Sequence, residues 1–134
     1  MNQADIETLA IGDEVGVGYN SYRDTGPKIV RIGKVEKING HGHLTVAFDT
    51  GGPLTFTKKG DEKGCDRFRG HYLIEADRAY ENNRVVRLQQ AANLRIHQIE
   101  SFINDKKNGY GNVKITRDDL ERIHDMLRDF PVVE

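Results

Sequence analysis

Near Glu75–Asp77 the hydrophobic period of this chain changes, and that change restricts its fold more than any other feature. Upstream, apolar residues come in short alternating runs broken by glycine, which is the period of strands with one buried face. Downstream they recur at spacings of three and four, which is the period of helices with one apolar stripe. A chain that runs strands first and helices second belongs to the α+β class rather than to an alternating βαβ fold. The reading is therefore a domain over 1–76 built from strands and a helical hairpin over 77–134.

Five strands can be placed in the first half. Ile6, Leu9 and Ile11 suggest a lead-in turn packing on the sheet, and Gly12–Asp13 reads as a turn. Glu14 to Tyr19 alternates, with Val15, Val17 and Tyr19 on one face. Lys28 to Ile38 forms a second strand with Val30 and Ile32 on one parity and Val35 on the other, which predicts a bulge or kink at Gly33. Asn39–Gly40 is a hairpin signal. Leu44, Val46 and Phe48 make the third strand, Leu54 and Phe56 the fourth, and Tyr72–Leu73–Ile74 the fifth. Five short strands with tight turns suggest a small closed barrel. In the second half, Val85, Leu88, Ala92, Ile96, Ile99 and Ile103 stripe a helix over 77–107. Thr116 followed by Asp119 resembles a capping box opening a helix over 117–130, striped by Leu120, Ile123, Leu127 and Phe130.

Gly12-Asp13-Glu14-Val15-Gly16-Val17, then Gly33-Lys34-Val35-Glu36-Lys37-Ile38 and Leu44-Thr45-Val46-Ala47-Phe48, resemble a five-stranded SH3-like β-barrel of the KOW or Tudor type over residues 11–75. The KOW resemblance implies contact with nucleic acid or with a protein partner. The Tudor resemblance implies an aromatic cage for methylated side chains, for which Tyr19, Tyr22, Phe48, Phe56, Phe68 and Tyr72 are the available rings. Such barrels host many functions, so the site has to be argued from its own residues.

Net charge is −1, so no global field draws the chain to nucleic acid or to an anionic membrane. Recognition has to come from local patches, and two are basic. Lys28, Arg31, Lys34 and Lys37 line the second strand, offset by Glu36 alone. Lys58, Lys59, Lys63, Arg67 and Arg69 populate the loop before the fifth strand, offset by Asp61, Glu62 and Asp66. With Tyr22, Arg23 and Phe68 from the adjoining loops, these residues form the candidate binding set.

Catalytic signatures are absent from the motif record. Gly51–Gly52–Pro53 and Gly60…Gly64 lack the terminal Lys-Ser/Thr of a phosphate loop. Cys65, Ser21 and Ser101 stand in no nucleophile motif with any of the five histidines. His41, His43, Cys65 and His71 lack zinc-ligand spacing. The sequence therefore assigns no enzyme activity, cofactor, metal or catalytic residue. One cysteine permits no internal disulfide, and no secretion signal or spanning apolar run is present, which places the chain in the cytoplasm.

The expectation is a non-enzymatic regulatory or adaptor protein that binds another protein, similar in style to small accessory or inhibitor proteins of bacteria and phages. The alternative is DNA or RNA binding through the basic strand and loop. The long helix exceeds the shorter one, so a homodimer through helix 77–107 is one way to cover its stripe.

Overall fold

The computed structural model describes residues 1–20, 28–65, 70–107 and 109–132. Its order is α1 (Gln3–Glu7), β1 (Glu14–Asn20), β2 (Arg31–Ile38), β3 (Leu44–Ala47), β4 (Leu54–Phe56), β5 (Gly70–Glu75), α2 (Ala76–Asn104) and α3 (Arg117–Arg128). The α+β class and the five strands followed by two helices stand as read. The chain divides into two compact units, Met1–Arg84 and Val85–Glu134.

In the first unit the strands form one antiparallel sheet, ordered β4-β3-β2-β1-β5 and curled into a half-barrel. Its inner face is filled by side chains. Val15, Val17, Val35, Leu44, Val46, Phe56 and Leu73 are buried, and Ile6 of α1 joins them. β4 and β5 do not pair directly. The segment between them hydrogen-bonds to both: Lys63 N donates to Thr55 O at 2.8 Å, and Leu73 N donates to Gly60 O at 2.9 Å. Gly60 meets this path with φ +88, and a side chain there would lie 3.0 Å from Ile6. α1 itself is held by a reciprocal capping box between Asn2 and Asp5.

The second strand departs from its reading at one point. Val15 faces Gly33 and Gly16 faces Ile32 in an unbroken ladder, so no bulge falls at Gly33. The register shifts between Val35 and Lys37. Ile32 and Val35 are on opposite parities because β2 is covered on both faces: Val35 lies in the core, and Ile32 lies on the outer parity with Gly16. Gly33 is glycine for room, since an added Cβ would meet Val46 at 2.6 Å and the Ala47 carbonyl at 2.7 Å. Tyr19 keeps the parity of Val15 and Val17 in the unbroken β1–β5 ladder, although it is 54% exposed near the end of β1.

The second unit is organised around the last turns of α2. Lys106 reaches Asp119 at 3.2 Å, and both Lys106 and Arg122 stand over the Phe102 ring. The expected capping box of α3 is present in both directions, Thr116 with Asp119. Hydrogen bonds from the Thr116 backbone, and Lys106 beside it, hold the Asp119 carboxyl below the usual carboxylate range. The α3 stripe is rotated from the reading. Ile123, Met126 and Phe130 are half-buried, whereas Leu120 and Leu127 are 57% and 54% exposed.

Candidate binding surface

The outer face of the half-barrel carries the first turns of α2, because β1 alternates valine with glycine. Val15 and Val17 point into the core, and Gly16 leaves the opposite face flat. A Cβ on Gly16 would lie 2.5 Å from Ala79 and 2.6 Å from Ile74, so only glycine admits the helix this closely. Gly18 does the same for the Tyr72 ring, 2.4 Å from the position a Cβ would take.

Asparagines then fix the helix to the chain before β2. Buried Asn83 accepts from Val30 N at 2.7 Å and donates to Val30 O at 2.8 Å, reading both backbone groups of one residue. Asn82 donates to Lys28 O at 2.8 Å. One turn earlier, Tyr80 donates its hydroxyl to Glu14 Oε2 at 2.8 Å. That hydrogen bond, together with the carboxylate charge, raises the phenol above its ordinary value.

Between α2 and strands β1 to β3 this arrangement leaves an open cleft of about 400 Å³. Its lining includes Glu14, Ile32, Lys34, Ala47, Asp49 and Tyr80. Ile32 and Ala47 make an apolar floor, Tyr80 a wall with a polar tip, and the rim carries two carboxylates against one ammonium. Such a site suits an apolar or aromatic anchor with charged neighbours of both signs.

The candidate residues from the sequence divide among several places. Lys34 lines the cleft. Lys37 pairs opposite Thr45, and the bulge after Val35 sets it on the same outward face as Lys34, although the two are an odd three positions apart. Arg31 is occupied elsewhere: it stacks on Phe48 at 3.8 Å and donates to Thr50 O at 2.7 Å, at the end of β3. Lys28 is exposed, and its carbonyl holds Asn82. Lys58, Lys59 and Lys63 are exposed in the segment between β4 and β5, with Lys58 beside the β2–β3 turn at Gly42. Tyr22, Arg23, Arg67, Phe68 and Arg69 lie outside the described residues. Glu14, Asp49 and Tyr80 went unread in the sequence. Tyr80 is one exposed ring on a helix, and nothing local marks its distant partner Glu14.

A second polar cluster ties β5 to the crossing segment. Glu62 Oε2 accepts from His71 N at 2.9 Å and from His71 Nδ1 at 2.8 Å. The backbone bond foremost, then the His71 side chain and Cys65, hold the Glu62 carboxyl below its usual range. Tyr19 packs on His71 with ring centroids 4.9 Å apart. His71 thus turns Nδ1 to Glu62 and braces β5 against the crossing segment. Among the described residues, no group of three His, Cys, Asp or Glu side chains is placed to hold a metal ion. No described helix is long and apolar enough to cross a membrane.

No protein-family model, curated protein or solved structure matches the chain.

Proposed function

We propose that the protein is a non-enzymatic regulatory or adaptor module that binds another protein through the cleft between α2 and the outer face of β1 to β3. The observation that carries this reading is the cleft's composition, an apolar floor and an aromatic wall rimmed by Glu14, Asp49 and Lys34. Protein partners supply apolar anchors and mixed charges, and a hot spot needs few such contacts. The filled inner face of the half-barrel leads to the same preference, since the core side chains occupy the space a small ligand would need.

A KOW-type nucleic-acid surface is the second reading, favoured by Lys34 and Lys37 sharing one face. Two acids beside Lys34 oppose it, because a phosphate backbone rewards uninterrupted positive charge. A Tudor-type cage has less support: Phe56 is in the core, and Arg31 already covers Phe48.

Affinity capture with the full chain, with and without nuclease, separates these readings. The protein reading expects one dominant species that survives nuclease and is lost with Tyr80→Ala or Lys34→Glu. Retardation of DNA or RNA at low salt, abolished by Lys34→Glu with Lys37→Glu, would replace it with the second reading.

A further inference from the structure

Helix α3 turns a self-complementary face to solvent. Arg117, Leu120, Glu121, His124 and Arg128 recur at three- and four-residue spacings and, with Asp125, border a hollow of about 480 Å³. Leu120 and Leu127 are 57% and 54% exposed on one side of that face. Ile123 and Met126, on the flank adjoining the leucines, and Phe130 beyond the helix end are the half-buried ones. Two exposed leucines a helical repeat apart make a stripe without a cover among the described residues.

We infer that this stripe is covered by α3 of a second copy of the chain, packed antiparallel about a two-fold axis. The charges on the face select that occupant. Arg117 and Arg128 balance Glu121 and Asp125, so neither a uniformly acidic nor a uniformly basic surface matches them. Antiparallel packing about a two-fold brings like flanks together. With Leu120 level with Leu127 of the second copy, Glu121 stands two residues from Arg128 of the second copy, an axial offset of about 3 Å at 1.5 Å per residue. An arginine spans that offset. Arg128 pairs with Asp125 of its own helix at 2.9 Å, and its fork retains further donors for a second carboxylate. The symmetry then makes each contact twice: two leucine pairs and two Glu121–Arg128 pairs. All of these residues belong to the second unit, so the inference stands whatever binds the cleft.

Sedimentation equilibrium of the full chain, run from the micromolar to the millimolar range, tests it. The wild-type chain is expected to approach twice its monomer mass, and Leu120→Asp with Leu127→Asp to stay at one. Glu121→Arg alone opposes arginine to Arg128, and Arg128→Glu alone opposes glutamate to Glu121. Each is expected to weaken association by about tenfold or more. An equimolar mixture of those two variants restores opposite charge at both pairs of the mixed dimer, and is expected to associate like the wild type. Circular dichroism checks that each variant keeps its helix content. A wild-type chain that stays monomeric, a dimer indifferent to the leucine changes, or a mixture no tighter than its components would each overturn the inference.

Discussion

Asn83→Ala tests the joint that builds the cleft. The Asn83 amide satisfies both backbone groups of Val30, at 2.7 and 2.8 Å, and is 4% exposed. Alanine removes the donor and the acceptor together. An unsatisfied buried backbone group costs about 1–3 kcal/mol. Val30 is half-buried, so the lower half of that range applies to each group, for about 3 kcal/mol in all. Urea unfolding of the first unit's transition measures it. Asn83→Asp sharpens the test, because the carboxylate retains an acceptor for Val30 N but opposes an oxygen to Val30 O. Only the protonated acid donates there, so folding raises its pKa above the ordinary value of about 3.9. The stability of that variant, relative to wild type at each pH, is then full below about 3.9 and is lost as pH rises through the higher folded value. A loss under about 1 kcal/mol for Asn83→Ala, or an Asn83→Asp penalty flat with pH, would refute the two-bond account.

Other outcomes follow from single contacts. Gly16→Ala forces a Cβ to 2.5 Å from Ala79, and should cost about 1–3 kcal/mol, with partial recovery when Ala79→Gly is added. Tyr80→Phe should leave the unfolding midpoint nearly unchanged, as befits one exposed hydrogen bond, while weakening capture of the partner. In an ultraviolet titration, Tyr80 should ionise above ordinary tyrosine, and Glu14→Gln should lower that midpoint. Glu62 has a depressed folded pKa, so its contribution to stability is present above the ordinary carboxylate value of 4.5 and is lost as pH falls through the lower folded value. Glu62→Gln should flatten that acid limb in pH-dependent unfolding, and an unchanged limb would remove Glu62 as its cause.

Much of the fold was legible because local rules set it. Short alternating or apolar runs marked the five strands, and the period of three and four marked both helices. The Thr116–Asp119 box was legible because a cap needs two residues three apart and nothing distant. The candidate site was read less well. Lys34 and Lys37 were found from their charge, but Arg31 carries the same charge and is spent on Phe48 and Thr50. The Asn2–Asp5 cap of α1 has an equally local signal, a side-chain amide acceptor three residues before an acid.

What the chain order determined by itself is which segments extend and which coil, since those preferences act over a few residues. What only tertiary packing decided is the use of each face. Gly16 is empty because Ala79 arrives there, Ile32 turns outward on the parity of Gly16, and the bulge after Val35 swings Lys37 to the side of Lys34. Glu14 and Tyr80 meet across 66 residues. Contacts at that separation depend on how the backbone returns, and no local preference records it.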